Sequence, residues 1–196
     1  MVDYGVGNLY SIKCALEKVG FKTVTGLSCL QLKQADAIIL PGVGDFSAAS
    51  KNLVPIKGKI LELVNGGLPV LGICLGMQLL FQKSDEGEGE GLALLEGKNV
   101  RLPNSVKVPH MGWNTVRLVA QNRFVEGLEG EPYFYFAHSY YPVPADKGVI
   151  CAETTYGVTF ASVTAKNNIC GTQFHPEKSG KDGLKFLENF SGFVKR

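Results

Sequence analysis

The stretch PVLGICLGMQLLF (69–81) begins as a continuous apolar run, meets a cysteine between two glycines, and resumes as an apolar helical pattern. A strand apolar on both faces needs cover on both sides, which is the condition of a parallel sheet. ADAIILPGVGDF (35–46) repeats the design, with an apolar strand, glycines at its carboxyl end, and helix-like DFSAASKNL (45–53) and IKGKILELVNGG (56–67) behind it. Outward from these, MVDY (1–4) ends a first strand and GVGN (5–8) turns. LYSIKCALEKVG (9–20) follows as an amphipathic helix closed by Gly20, and FKTVTG (21–26) is a second short strand. MQLLFQKS (77–84) is the helix behind PVLGICLG. This alternation predicts an α/β fold with a central, mostly parallel sheet flanked by helices.

The second half is β-rich. KNVRLP (98–103), NTVRLV (114–119), PYFYFAHSYYPV (132–143), GVICAETTYG (148–157), VTFASVTAKN (158–167) and NICGTQF (168–174) read as strands separated by turn residues. They add an antiparallel section, and GKDGLKFLENFSGFVKR (180–196) closes the chain as an amphipathic helix. The acidic, glycine-rich SDEGEGEGLALLEG (84–97) reads as an exposed connector. At 196 residues the chain reads as a single domain, 1–196, long enough to bury a sizeable core.

Charge and composition narrow the classes. A net charge of +2 gives no electrostatic footprint for nucleic acid, and no polybasic run suggests a membrane surface. No apolar stretch is long enough to span a bilayer, and MVDYGVGNLY lacks the pattern of a signal peptide. Five cysteines (14, 29, 74, 151, 170) form no CxxC pair and no metal-ligand spacing with the three histidines. They read as reduced thiols in a cytoplasmic protein, with no metal and no cofactor. Four of them fit as small packing residues; Cys29 lies in a polar stretch without an evident role.

In an open α/β sheet, ligands bind beyond the carboxyl ends of the strands. DYGVGN (3–8), LPGVGDF (40–46) and GICLG (72–76) stand at such ends. GICLG has the strand-turn-helix form of a nucleophile elbow with cysteine at the tip, which would expose the thiol. Gly72 and Gly76 make room for the turn, and the helix N-terminus favours thiolate. A buried structural cysteine explains the same residues equally well. A thiol nucleophile needs a base. His175 in TQFHPEK (172–178) follows the last apolar strand, and Pro176 holds it extended, so that His175 and Glu177 point to the same side. Nucleophile, base and orienter are then present; alone, HPE would read as a surface turn. His110 and His138 read as structural or binding residues. LPGVGDF offers backbone N–H groups for an oxyanion, and it matches neither GxGxxG nor GxxxxGK[ST]. A plain tight turn is its other reading.

PGVGDF, GICLGMQLLF and QFHPEK, in this order, resemble the class I (triad) glutamine amidotransferase family. DYGVGN and VPHMGWN (108–114) narrow the resemblance to glutaminase subunits of imidazole glycerol phosphate synthases, over essentially the whole chain. The first strand is shorter than is usual in that family. The resemblance implies a triad of Cys74, His175 and Glu177. It also implies an oxyanion hole from the backbone of Gly42, Val43 and Leu75, and glutamine contacts from Gly42, Gln78, Ser139 and Tyr140. Gln78 follows Cys74 by four positions, so its side chain points back toward the elbow.

As partner, the resemblance implies a (β/α)8-barrel cyclase subunit. That subunit receives ammonia through a channel and converts the ribulosyl precursor PRFAR to imidazole glycerol phosphate and AICAR. Asn8, Trp113 and Lys178 match positions expected near that interface. Their plainer readings are a turn or cap, core packing, and a solvated charge. The paired glycines of PGVG suggest that its amide rests unturned in the free subunit, which would then be a poor glutaminase. Three other readings are the same triad serving anthranilate or pyridoxal phosphate synthesis, a cysteine peptidase or γ-glutamyl hydrolase, and a non-catalytic binding partner.

Overall fold

A computed structural model of the chain describes residues 1–5, 9–26 and 28–195, and the side chain of Cys29 is not described. In chain order the elements are α1 (Leu9–Lys18), α2 (Cys29–Lys33), β1 (Ile38–Leu40), α3 (Phe46–Asn65), β2 (Val70–Ile73), α4 (Leu75–Leu79), β3 (Lys83–Ser84) and β4 (Gly97–Arg101). They continue as β5 (His110–Thr115), β6 (Arg117–Leu118), β7 (Tyr133–His138), β8 (Tyr140–Pro144), β9 (Ile150–Tyr156), β10 (Val158–Lys166), β11 (Ile169–Thr172) and α5 (Gly180–Val194).

The central sheet has the order β1-β2-β11-β10-β9-β6. β1, β2 and β11 run parallel, with Leu40 opposite Gly72 and Gly72 opposite Gly171. The remaining neighbours are antiparallel. Two smaller sheets complete the second half: β3-β4-β8, with β3 parallel and β8 antiparallel to β4, and the antiparallel pair β5-β7.

Strand alternation divides the core between the two faces of the sheet. Ile38, Leu40 and Val70 join the buried face of α3 (Phe46, Ala49, Leu53, Ile56, Ile60, Val64). Ile39 and Leu71 join Ile12 and Leu16 of α1 and Phe186, Leu187 and Phe190 of α5. The continuous apolar strands are therefore covered on both sides, as the parallel sheet requires. Among the described residues no helix is long and apolar enough to cross a membrane.

Three local expectations change. The strands read in MVDY and FKTVTG shrink to one parallel bridge, Val2 to Gly26. Beyond it, Val24 is exposed and has no core face to hold a ladder. The two helices read on either side of Pro55 are one, α3, because a single apolar stripe runs unbroken past the proline. Asp45 caps it by accepting from the N–H of Ala48. The helix read in MQLLFQKS is confined to Leu75–Leu79, and the chain then turns into β3.

Candidate active site

The carboxyl ends of β1, β2 and β11 lie side by side, and each delivers one part of the site. β2 ends in Cys74, which has φ 51° and ψ −104°, outside the regions open to most L-residues. Its N–H donates to Thr172 O at 2.7 Å, tying the elbow to β11. Two glycines allow this close fit. A Cβ on Gly76 would stand 1.9 Å from Leu40 O, and one on Gly42 would stand 2.5 Å from Leu75 Cβ. The PGVG loop after β1 is thereby pressed against the first turn of α4.

Cys74 is buried, with 4% of its surface exposed, which corrects the expectation of an exposed thiol. The chain folds over the elbow from β7 and from the end of β11. Cys74 Sγ lies 3.7 Å from Ala137 O, and Gln173 Nε2 donates to it at 3.5 Å.

His175 follows β11 and is fully buried. Its Nδ1 is 2.8 Å from Glu177 Oε1, the pairing expected from the extended HPE segment. Three bonds fix this segment. The His175 N–H donates to Tyr135 O at 2.8 Å, Ser179 Oγ donates to His175 O at 2.6 Å, and the Tyr135 N–H donates to Ser179 Oγ at 3.0 Å. His175 Nε2 and Glu177 Oε2 are buried without a hydrogen-bond partner among the described residues. Burial alone would favour a neutral imidazole. The electrostatic interaction with Cys74, then the hydrogen bond and charge of Glu177, outweigh it and hold the His175 pKa above the usual histidine range. The arrangement suits proton transfer between Nε2 and the Cys74 sulfur.

Gln78 is buried on α4, and its Nε2 donates to Tyr140 O at 2.8 Å and to Gln173 Oε1 at 3.3 Å. Gln173, which the sequence reading missed, thus links Gln78 to the thiol. Its spacing two residues before His175 in an extended segment was the available signal. Tyr4, also missed, is buried and donates its hydroxyl to Pro41 O at the root of PGVG. Within the loop Gly42 is buried and Val43 is 44% exposed. Leu75 opens α4, where its N–H has no intrahelical acceptor. Ser139 joins β7 to β8 and accepts from the N–H of Leu102 through its carbonyl.

The three expected interface residues fare differently. Trp113 is 56% exposed, so core packing is not its role; its ring stands edge-on to Tyr135. Lys178 places Nζ 5.6 Å from the centre of the same Tyr135 ring. Asn8 lies outside the described residues.

Residues 1–192 match the family Glutamine amidotransferase class-I. Two solved structures share the fold. One is a glutamine amidotransferase at 21% identity and TM-score 0.76, covering 97% of each chain. The other is PurLQS from Thermotoga maritima at 23% identity and TM-score 0.78, covering 98% of this chain and 96% of that one.

Among curated relatives, the imidazole glycerol phosphate synthase subunit HisH of Methanocaldococcus jannaschii is 47% identical over 97% of this chain and 96% of its own length. The HisH subunit of Pyrococcus furiosus is 48% identical over 97% and 96% respectively. The chain belongs to the class I glutamine amidotransferases and, within them, to the family of imidazole glycerol phosphate synthase subunits HisH.

Proposed function

We propose that this chain is the glutaminase subunit of an imidazole glycerol phosphate synthase, a single cytoplasmic domain over 1–196 that works as a heterodimer with a (β/α)8-barrel cyclase. Cys74 is the nucleophile. Its thiolate attacks the side-chain carbonyl of glutamine, and backbone N–H groups of Gly42 or Val43, together with Leu75, take the developing oxyanion. His175 passes a proton from Nε2 to the departing nitrogen, which leaves as ammonia and yields a γ-glutamyl thioester. The imidazole then takes a proton from water, which cleaves the thioester to glutamate and restores the thiolate and the imidazolium. Glu177 holds Nδ1 protonated and stabilises the imidazolium. Gln78, Ser139 and Tyr140 hold the substrate. The ammonia passes to the cyclase, which turns PRFAR into imidazole glycerol phosphate and AICAR.

The observation that carries this reading is the buried His175–Glu177 pair, with its outer nitrogen unpaired among the described residues and electrostatically coupled to a positive-φ cysteine on the neighbouring strand. Burial of the thiol favours a small amide over a polypeptide substrate. The test is glutamate release from glutamine, measured with and without a barrel cyclase and PRFAR. Stimulated release that Cys74→Ala lowers by about 10³-fold or more is expected. Undiminished release by Cys74→Ala would overturn the nucleophile assignment.

A further inference from the structure

The two histidines outside the candidate triad form a buried pair. β5 and β7 place His110 directly opposite His138 on their inward face. His110 Nδ1 and His138 Nε2 are 3.0 Å apart, and His138 Nδ1 is 2.9 Å from Tyr140 O. A carbonyl only accepts, so His138 Nδ1 carries the proton.

The other end of the chain of bonds gives the same direction. Asn114 Oδ1 accepts from the N–H of Thr115 and Asn114 Nδ2 donates to Thr155 O, which fixes the amide. Nδ2 then donates to His110 Nε2 at 3.3 Å. His110 must carry its proton on Nδ1 and give it to His138 Nε2. A single directional relay, Asn114 to His110 to His138 to Tyr140 O, follows from geometry alone.

Both rings are buried, and burial lowers their pKa values, to about 4 for His110 and about 3 for His138. Aromatic rings of Phe136, Tyr156 and Phe160 pack against His110, and the titratable groups acting on His138 are His110 and His175. No carboxylate is among these neighbours to favour the imidazolium.

The relay ends on the carbonyl that also accepts from Gln78 Nε2. With Nε2 held by Tyr140 O and Gln173 Oε1, the side chain of Gln78 can offer a ligand only its carbonyl oxygen. We propose that the neutral His110–His138 pair is a positioning device that fixes Tyr140 O and thereby keeps Gln78 oriented as an acceptor for an N–H of glutamine. It acts on substrate binding and not on proton transfer. The proposal rests on the glutaminase reading of the elbow.

Two measurements test it. Long-range proton–nitrogen NMR of the wild-type chain should find both rings in the Nδ1–H form, unchanged from pH 5 to 8. An Nε2–H ring, or titration of either ring in that window, would overturn the relay without touching the glutaminase reading. His110→Phe keeps the stacking on Tyr156 and removes the donor. In the complex with the cyclase and PRFAR it should raise KM for glutamine about fivefold to tenfold, with kcat within about twofold. An unchanged KM, or a loss confined to kcat, would overturn the positioning role. A wild-type complex that releases no ammonia would instead remove the function on which the role depends, while the NMR result would still judge the relay.

Discussion

The carboxyl ends of β1, β2 and β11 and the β5–β7 pair are both walls of one site, yet they are built in opposite ways. The parallel strands are buried on both faces, and backbone meets backbone there with no space for a methyl group at Gly76. The β5–β7 pair is buried on one face only. Phe134, Phe136, His110 and His138 point inward, while Met111, Trp113 and Tyr133 stand exposed on the other side. Tyr135 on that outer side receives Lys178 over its ring, and its carbonyl accepts from the N–H of His175. The first wall holds a strained thiol in one place. The second is thin enough for its outer face to lie one hydrogen bond from the candidate base, where a partner seated on Trp113 and Lys178 would be felt.

Breaking the tight wall should have the largest effect. Gly76→Ala forces a Cβ into Leu40 O, and a loss of about 3 kcal/mol or more in unfolding free energy is expected, measured by urea denaturation. A variant of wild-type stability would mean that β1 is not pressed against the elbow as described.

The inward face of the second wall answers to acid. His110 and His138 have folded pKa values lowered to about 4 and about 3, so below pH 6.5 the unfolded chain binds more protons than the folded one. Stability should therefore fall as pH drops from 6.5 toward 4, by about 2 kcal/mol for each histidine near pH 5. The raised pKa of His175 has the opposite sign: its stabilisation is complete below 6.5 and is lost only as pH rises through the folded value. His110→Phe/His138→Phe should flatten the acid decline, and an identical decline in the double variant would assign it to carboxylates.

The outward face should matter least to the chain alone. Trp113→Ala is expected to change unfolding free energy by about 0.5 kcal/mol or less, because the ring is more than half exposed. It should lower the stimulation of glutaminase activity by the cyclase. A large loss of stability without loss of stimulation would return Trp113 to a packing role.

Where the sequence was informative follows from which contacts are local. The elbow, the capped helices and the His175–Glu177 pair depend on residues within a few positions of one another, and GICLG and HPE carry them in plain view. The burial of β1 and β2 on both faces was legible for the same reason. The His110–His138 pair depends on the register of β5 with β7, twenty-eight positions apart, and no local periodicity sets that register. The hold of Tyr4 on Pro41 and the burial of Cys74 under Ala137 and Gln173 are likewise contacts between distant segments. Trp113 was ambiguous because a tryptophan in a strand reads alike on either face until the sheet's covered side is known.

The most direct test of the account is to quench the complex with the cyclase and PRFAR during glutamine turnover and examine its peptides by mass spectrometry. A γ-glutamyl adduct on the peptide containing Cys74, lost when Cys74 is replaced by alanine, is the predicted result. Continued ammonia release with no adduct on Cys74 would contradict it.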